Sequence, residues 1–468
     1  MLFSSLTFLY AFLPITLILY FIFPNRKIKN IVLLCSSLIF YAWGEPKYVL
    51  LMIGITFISW IMGLLINYFK DKPKFKKLFL MLAIISIVGN LIFFKYINFI
   101  VENFNGIFKT KFNIIEIVLP LGISFYTFQI LSYVIDLYKN NVKVQKNFFS
   151  LLLYVSLFPQ LIAGPIVRYE TVEDELNNRK INLEEIMKGF KRFIIGLSKK
   201  IIIANRMGQV ADMIFSSNNT EFGTAIVWIG IISYTLQIYF DFSGYSDMAI
   251  GLGQVFGFHF LENFNYPYIS KSITDFWRRW HISLSSWFRD YIYIPLGGNR
   301  VKKWKWIRNI LIVWLLTGIW HGASWNYILW GLYFGLILLL EKLVLKKYLE
   351  KLPSFLQWCY SIILIMIGWV IFRCESFEMM GNVFANAFIY HKSNFISLIN
   401  NNSELLVNVL FIIPGIFASF PIVKNMYNKF KNMKIFYLVC DIVLLILFGI
   451  DIVMLTSATY NPFIYFRF

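Results

Sequence analysis

Long apolar runs alternate with short polar stretches along almost the entire chain. Twelve of these runs are long enough to cross, or nearly to cross, a lipid bilayer. They cover residues 5–23, 30–43, 48–69, 78–100, 115–137, 149–167, 224–240, 309–321, 325–345, 355–373, 405–423 and 435–456. Several are short for a complete crossing, which a bilayer accepts only where neighbouring groups satisfy the backbone hydrogen bonds. The pattern predicts an all-α polytopic membrane protein with about 11–13 membrane segments, some of them re-entrant or interfacial.

The composition favours a membrane protein over a set of soluble domains. Of the 468 residues, 58% are hydrophobic and 15% are charged. Soluble proteins contain about half hydrophobic and about a quarter charged residues. The mean hydropathy of +0.65 agrees with this difference. We therefore predict a single membrane domain over residues 1–468, surrounded by the lipid bilayer.

Basic residues collect in alternate loops between the apolar runs, and the net charge is +19. Residues 24–30, 70–77 and 138–148 are strongly basic, whereas the turn at 45–47 and residues 101–116 are balanced. Because basic loops stay on the cytoplasmic side of a membrane, this alternation predicts an external N-terminus and cytoplasmic basic loops. Loop placement thus explains the positive charge, and we expect no nucleic-acid partner.

The middle of the chain allows more than one interpretation. Residues 189–207 place basic side chains beside an apolar face, which is typical either of a helix lying in the membrane interface or of a tilted spanning helix. Asp241 and Asp247 lie inside an apolar run. They could line a polar pathway, as in a transporter without covalent chemistry, or bond Ser243, Ser246 or backbone groups; the second interpretation is slightly favoured.

The chain has four histidines, and two of them lie in unusual surroundings. His259 and His391 have ordinary neighbours and are weak candidates for catalysis. His281 and His321 lie in segments rich in tryptophan. A GxxxxGK[ST] phosphate loop and an HExxH zinc motif are both absent from the sequence. We predict no metal site and no bound cofactor.

His321 lies at the end of an apolar run, in "LLTGIWHGASWNYILWGLYFG", between Trp320 and Trp325. Ionisable residues at membrane depth are energetically expensive and usually have a function or a partner. Gly318 and Gly322 carry no side chain, so another group could approach closely there. This favours a site, although a histidine that bonds a neighbouring helix remains the alternative.

His281 lies in "DFWRRWHISLSSWFRD", which combines arginines, aromatics and a histidine. If residues 273–289 form one helix, Trp277, His281 and Ser285 share a face, and Arg278 lies one turn earlier. A near-neutral imidazole is the commonest general base in enzymes. The alternative is a belt of tryptophans and arginines at the membrane interface, with the histidine incidental to it.

Motifs along the whole chain resemble those of the membrane-bound O-acyltransferases, especially the branch that acetylates alginate and other bacterial polysaccharides. The matching stretches are "FYAWGEPKY" (40–48), "LPLGISFYTFQILSYVIDLY" (119–138), "LFPQLIAGPIVRY" (157–169), "IYFDFSGYSDMAIGLG" (238–253), "DFWRRWHISLSSWFRDYIYIPLGGNR" (275–300), "LLTGIWHGASWNYILWG" (315–331) and "GWVIFRCES" (368–376). Residues 275–331 are the most specific part. The D-alanyl transfer proteins of teichoic acid are similar around His281, but "YIYIPLGGNR" looks like the polysaccharide branch.

This resemblance implies a funnel-shaped helical fold that holds two histidines in a central tunnel. Peripheral helices would occupy about residues 1–110, the catalytic core about 115–376 and the C-terminal helices about 400–468. His321 matches the invariant histidine of the family, and His281 matches its other polar position. The resemblance implies that His321 acts as general base, while His281 orients the donor or stabilises developing charge.

The implied activity is acetyl transfer from a cytoplasmic donor, acetyl-coenzyme A, for O-acetylation of an extracytoplasmic polysaccharide such as alginate. The protein would lie in the bacterial plasma (inner) membrane and work with an exported SGNH-type acetyltransferase. Candidate substrate-binding residues are Trp277, Arg278, Arg279, Ser285, Arg289, Asp290, Trp320, Trp325 and Asn326. For the arginines, and for the lysines of 302–305, donor phosphate contacts and plain cytoplasmic loop charge both remain open. Acyl transfer to teichoic acid or peptidoglycan, D-alanyl transfer included, is the alternative within the same enzyme class.

Overall fold

The computed structural model describes residues 1–216, 222–393, 403–457 and 460–464, and these form helices and connecting segments without any strand. The predicted all-α membrane architecture is confirmed. The chain divides into two compact units. The first contains Met1–Phe193 and Ser246–Leu261, and the second contains Ile194–Tyr245 and Glu262–Phe468. The predicted single domain, with peripheral, core and C-terminal parts, stays a prediction.

We number the α-helices of seven or more residues in chain order. The first unit contains α1 Leu13–Ile22, α2 Arg26–Ala42, α3 Tyr48–Tyr68, α4 Pro73–Phe108, α5 Ile123–Tyr138, α6 Phe148–Ser156 and most of α7 Leu183–Ser198. A π-helical turn, Phe8–Phe12, precedes α1, and the short helices Phe158–Leu161, Tyr169–Val172 and Glu175–Asn178 lie between α6 and α7. Asparagine side chains begin two of these helices: Asn25 Oδ1 accepts from Lys27 N–H and Asn147 Oδ1 from Phe149 N–H.

The second unit contains the remaining helices. They are α8 Asn205–Ser216, the larger part of α9 Thr224–Val255, α10 Ile273–Arg279, α11 Ile282–Phe288, α12 Lys303–His321, α13 Trp325–Leu340, α14 Ser354–Arg373, α15 Phe377–Phe388, α16 Ser403–Leu410, α17 Ile412–Ala418, α18 Ile422–Phe430 and α19 Lys434–Ser457. Shorter helical pieces are the π-helical turns Lys199–Ala204, Arg289–Tyr293 and Glu341–Leu345, the 3₁₀ turn Pro267–Ile269 and the helix Lys346–Leu349.

Six helices in the described part of the chain are long and apolar enough to cross a membrane. They are Tyr48–Tyr68, Pro73–Phe108, Thr224–Val255, Trp325–Leu349, Ser354–Arg373 and Lys434–Ser457. The helices Glu404–Ala418 and Ile422–Phe430, which meet at a bend of 51°, are together long and apolar enough to form a seventh span. The other predicted segments fall on shorter helices. The protein is therefore a multi-pass membrane protein that contains both helices long enough to span a membrane and shorter helices.

One predicted segment begins later than the hydropathy suggested. The apolar run 115–137 is helical only from Ile123 onward, because residues 109–122 form a connecting segment. Pro120 has no backbone N–H, and Gly122 has a φ of +73°, in the left-handed region that glycine adopts most readily. Both residues oppose extension of the helix towards residue 115, so hydropathy alone gave the wrong start.

Basic residues balance the acids inside the long helix α9. In the second unit, Lys200 Nζ lies 2.6 Å from Asp241, and both side chains are buried. Asp241 Oδ2 also accepts a hydrogen bond from Ile464 N–H at 2.7 Å. In the first unit, Arg192 donates to Asp247 Oδ1 from Nε and Nη2 at 3.0 and 2.8 Å. Cations, which the sequence interpretation had not considered, thus compensate the buried carboxylate of Asp241 and the partly buried one of Asp247.

Candidate active site

His281 and His321 are both buried in the second unit, and the indole of Trp320 contacts both. The ring centroid of Trp320 lies 5.9 Å from that of His281 and 5.0 Å from that of His321. The two imidazole centroids are therefore no more than about 11 Å apart, which is the sum of those distances. The fold brings together two candidate residues that lie far apart in the sequence.

His321 is the last residue of α12, and the extended backbone of Gly322 follows it. Its imidazole packs edge-to-face against Trp330 and Phe372, with centroid distances of 4.9 and 5.1 Å. With Trp320, these rings form an apolar wall around a group that can transfer protons. The residue is buried, with 6% of its surface exposed.

The glycines near His321 serve helix packing. A Cβ on Gly318 would collide with the backbone carbonyl of Tyr327 in α13, and one on Gly322 would collide with the Tyr327 ring. On the facing helix, a Cβ on Gly331 would collide with the carbonyl of Trp314. The space that the sequence interpretation offered to a ligand is therefore filled by α13, and these glycines no longer favour a site at His321.

The chain changes direction at His281, between α10 and α11. His281 has φ +43° and ψ +55°, a left-handed conformation that costs a non-glycine residue about 1–2 kcal/mol. The expected continuous helix over 273–289 is therefore wrong, and so is the shared face of Trp277, His281 and Ser285. Residues held in such conformations cluster at functional sites.

Asn263 and Ser283 surround the imidazole of His281. Asn263 Oδ1 lies 3.0 Å from His281 Nδ1, 2.9 Å from Ser283 Oγ and 3.3 Å from Ser283 N. All three side chains are almost completely buried. Burial lowers the pKa of His281 to about 3, so the imidazole is neutral at physiological pH.

A buried carboxylate fixes the helix that precedes His281. Glu341 accepts hydrogen bonds from Ile273 N–H, Thr274 N–H and Thr274 Oγ–H at 2.6, 2.8 and 2.6 Å. Ser272 Oγ accepts a further bond from Asp275 N–H at 3.0 Å. These acceptors satisfy the first N–H groups of α10 and complement its dipole. The position of His281 is therefore set by a helix whose beginning is firmly capped.

Three further candidates, Trp277, Trp320 and Asn326, belong to the aromatic wall around His321 or contact it. Trp277 packs against Trp330 at a centroid distance of 5.5 Å, and Trp330 in turn contacts His321. Asn326 Nδ2 donates to the backbone carbonyl of Phe372 at 3.2 Å, which ties α13 to α14 beside the histidine. The structure thus brings Trp277, Trp320 and Asn326 together with His321.

The candidate arginines differ in how their charge is used. Arg279 Nε lies 3.0 Å from Asp275 Oδ1, and its Nη1 donates to the Asn265 carbonyl. Arg289 donates to both carboxylate oxygens of Asp290, at 2.6 and 3.0 Å. Arg278 is exposed. Acidic neighbours therefore already balance two of the arginines, and Arg278 is the better candidate for an anionic ligand.

The last two candidates lie at helix starts. Ser285 N–H donates to the His281 carbonyl at 3.1 Å and belongs to the first turn of α11. Trp325 begins α13 and is 52% exposed. Their assignment to substrate binding stays a prediction.

Sequence reasoning missed Asn263, Ser283, Glu341 and Trp330. Glu341 was detectable, because a lone acid at the end of an apolar run requires a partner at membrane depth. Asn263 carried no such signal, since it lies in a polar-aromatic stretch 18 residues before His281. No group of three or more His, Cys, Asp or Glu side chains that could hold a metal ion occurs among the residues that the structure describes.

Comparison with known proteins shows what this chain is similar to. The family model of the membrane-bound O-acyltransferases matches residues 141–384, which include both histidines. The chain is 37% identical to the probable alginate O-acetylase AlgI of Azotobacter vinelandii, over 100% of both chains. It is 39% identical to the peptidoglycan O-acetyltransferase of Helicobacter pylori, over 81% of this chain and 78% of that one. It is 34% identical to the teichoic acid D-alanyltransferase of Bacillus subtilis, over 47% and 58%.

Proposed function

Because the chain belongs to the membrane-bound O-acyltransferase family, we propose that it moves an acetyl group from acetyl-coenzyme A in the cytoplasm towards an extracytoplasmic polysaccharide. That the protein is a multi-pass membrane O-acyltransferase follows from the family; the donor, the acceptor and the bacterial plasma membrane as its location are the proposal. The observation that carries it is the pair of buried imidazoles on Trp320.

The relatives support acetyl as the transferred group. Two proteins whose names describe O-acetyl transfer align with four fifths or more of this chain, whereas the D-alanyltransferase aligns with less than half. The relative that aligns over its full length is named for alginate, and the one that aligns over 78% of its length is named for peptidoglycan. Acetyl is therefore the preferred group, and we propose a polysaccharide such as alginate as the acceptor, with peptidoglycan as the alternative.

The reaction requires a base, and His321 supplies it in this proposal. The hydroxyl oxygen of the immediate acceptor, which receives the acetyl group before the polymer does, attacks the thioester carbonyl carbon while its proton passes to His321. The C–S bond of the tetrahedral intermediate then breaks, and the departing thiolate takes the proton and leaves as free coenzyme A. The aromatic wall of Trp320, Trp330 and Phe372 excludes water that would hydrolyse the thioester.

His281 has a different role because its pKa is low. A base works best when its pKa lies near the operating pH, and burial takes the pKa of His281 far below that range. A neutral imidazole with so low a pKa accepts a hydrogen bond but rarely takes a proton. His281 therefore orients a substrate group that carries an N–H or O–H.

Further components follow from the same proposal. Arg278 contacts the phosphates of the donor, because it is exposed and positively charged. An exported SGNH-type acetyltransferase receives the acetyl group and delivers it to the polymer, since a polymer is a poor fit for the central tunnel that the family resemblance implies. No metal ion and no resident cofactor take part in this scheme.

The His321→Ala variant tests the proposal in proteoliposomes supplied with labelled acetyl-coenzyme A. We expect it to transfer acetyl about 10²–10⁴-fold more slowly, the usual cost of losing a proton-transfer group, while it accumulates in the membrane like the wild type. The matched control is His391→Ala, an exposed histidine. Full activity of His321→Ala would reject the assignment of the base.

The same assay identifies the donor and acceptor. Wild-type protein is offered acetyl-coenzyme A, a longer acyl thioester and D-alanyl thioester, each with alginate or peptidoglycan and with or without the exported partner. We expect consumption of acetyl-coenzyme A and a requirement for the partner. Preferential use of the D-alanyl donor would replace acetyl transfer by the teichoic acid reaction.

A further inference from the structure

We propose that Asn263, together with Ser283, is a positioning residue that holds His281 in the tautomer with its proton on Nδ1 and its lone pair on Nε2. This inference rests on the proposed function for its catalytic consequence, but the tautomer itself can be measured without any activity. Asn263 would not touch substrate; it would act through the imidazole.

The hydrogen-bond network identifies which atom of Asn263 faces the histidine. Ser283 N–H, a backbone group that can only donate, lies 3.3 Å from the Asn263 side chain. The amide must therefore present its oxygen rather than its NH₂ group to this cluster. Ser283 Oγ–H, at 2.9 Å, donates to the same oxygen.

The same oxygen lies 3.0 Å from His281 Nδ1. Two acceptors at that distance would repel each other, so Nδ1 must carry the proton and donate it to Asn263 Oδ1. The neutral imidazole has only one N–H, and Nε2 therefore holds the lone pair.

The backbone reinforces this arrangement. Ile282 N–H donates to the Asn263 carbonyl at 3.0 Å, and Asn265 N–H donates to the Arg279 carbonyl at 2.9 Å. The segment 263–265 is thus bonded on both sides of the left-handed residue His281. These bonds offset the cost of that conformation, and the side chain and the main chain of Asn263 act on the same residue.

The consequence is chemical. With its lone pair on Nε2, His281 can only accept a hydrogen bond there, so the substrate must supply an N–H or O–H. The pantetheine amides of an acyl thioester and the hydroxyl of an acceptor are such groups. Phe242, 4.7 Å away, and Trp320, 5.9 Å away, pack on the ring and limit its rotation.

Solid-state NMR of the full-length wild-type protein in liposomes tests the tautomer directly. The four histidines are labelled with ¹⁵N, and the His281 signals are assigned by their loss in His281→Asn. We expect a protonated Nδ1 and an unprotonated Nε2 over the range from about pH 6 to pH 8. A proton on Nε2 in the wild type would overturn the proposal, whatever the enzyme transfers.

Three variants then test the catalytic consequence. Asn263→Leu keeps the shape but removes the acceptor, and we expect kcat to fall about 10²-fold, within the range for losing a partner that orients a catalytic histidine. Asn263→Asp restores an acceptor oxygen and should recover activity to within about 10-fold of the wild type. Asn265→Leu changes only the side chain of an exposed neighbour, keeps its backbone N–H bond to the Arg279 carbonyl and should leave kcat unaltered.

The readouts separate positioning from general loss of structure. A structural defect would lower the amount of folded protein in all assays, and Asp would not rescue it better than Leu. Equal kcat for wild type and Asn263→Leu would overturn the proposal. If the wild type has the expected tautomer but consumes no acetyl-coenzyme A, the proposed donor fails and the positioning of His281 stands.

Discussion

His281 occupies a backbone conformation that most side chains avoid, and its surroundings must keep it there. Asparagine enters the left-handed region more readily than alanine does. The substitution chosen to remove the imidazole therefore affects folding as well as chemistry.

We predict that His281→Ala is less stable than His281→Asn by about 1 kcal/mol, because alanine bears the left-handed strain without compensating local bonds. Thermal unfolding of both variants in the same detergent measures the difference. Both should be inactive, so their activities serve as the control for the loss of the imidazole. Equal unfolding temperatures would mean that the backbone relaxes when the histidine is removed.

His259 lies between two acids in the first unit. Its Nδ1 is 2.7 Å from Glu175 Oε1, and its Nε2 is 3.4 Å from Glu185 Oε1. Burial alone lowers the pKa of His259, but the two carboxylates outweigh burial, and the pKa rises above its usual range. Protonated His259 therefore stabilises the folded protein. This stabilisation is complete below the pKa of the unfolded state, about 6.5, and it is lost as the pH rises through the higher pKa of the folded state.

We therefore predict that the unfolding temperature of the wild type decreases between about pH 6 and pH 8, and that His259→Gln removes part of this decrease. His391→Gln, at another exposed histidine, is the matched control. An identical pH dependence in wild type and His259→Gln would show that the two carboxylates contribute nothing to stability.

At the candidate site, the structure tests the predicted geometry, while the predicted roles of the residues stay predictions. It singled out His281 and His321, but it placed His281 inside a helix that the structure breaks. It could not find Asn263, because that asparagine acts through a contact between distant positions rather than through a local pattern. A sequence motif can point to candidate residues, whereas tertiary hydrogen bonds between distant positions decide how each side chain is held.

At the scale of elements, the contact between α12 and α13 is unusually close. Gly318 and Gly331 face each other, and the Cβ position of each glycine is occupied by a backbone carbonyl of the other helix. Small residues allow such close packing in membranes, where van der Waals contacts rather than hydrophobic exclusion hold helices together. His321 lies one turn beyond Gly318, so this contact also positions the site.

We predict that Gly318→Ala destabilises the protein by about 1–3 kcal/mol or more, the usual cost of overpacking, because a backbone carbonyl cannot move aside. Gly89→Ala in α4, where a Cβ would meet nothing within 4 Å, is the control. It should be neutral or stabilising by up to about 1 kcal/mol, since alanine favours helix more than glycine does. Unfolding in detergent measures both, and equal effects of the two substitutions would contradict the packing explanation.

Hydropathy predicted most helices but not all of their boundaries. The runs 48–69, 355–373 and 435–456 agree with Tyr48–Tyr68, Ser354–Arg373 and Lys434–Ser457 to within a residue or so. The run 224–240 continues as helix to Val255, because cations balance Asp241 and Asp247 inside it. A charged residue makes an apolar run end early in the sequence pattern. The helix itself continues where the charge is paired.

At the scale of the molecule, the second unit is completed by residues near the end of the chain. Ile464 N–H bonds Asp241, Tyr460 OH donates to Asp212 at 2.7 Å, and Ser198 Oγ donates to Asp451 at 2.6 Å. Each contact joins positions more than two hundred residues apart. Such pairs have no signature in a single sequence, so the C-terminal contribution to this unit could not be predicted.

The first unit collects its basic loops at one end. Lys76 Nζ donates to Asn140 Oδ1 at 3.0 Å and lies 5.1 Å from the Tyr138 ring centre, so the start of α4 meets the end of α5. At the other ends of helices in this unit, Tyr41 OH donates to the Leu121 carbonyl at 2.9 Å. The basic loops, which alternate with balanced loops along the sequence, therefore lie at one end of these helices and the balanced loops at the other.

This separation predicts how the first unit is oriented, because basic ends stay in the cytoplasm. With the four native cysteines, all free, replaced by alanine, Asp71→Cys and Lys143→Cys mark the basic end, and Lys47→Cys and Asn113→Cys mark the other. In intact spheroplasts, a membrane-impermeant maleimide should label only the second pair, and in inverted vesicles only the first. The opposite pattern would contradict the predicted orientation of the first unit, with its basic loops in the cytoplasm.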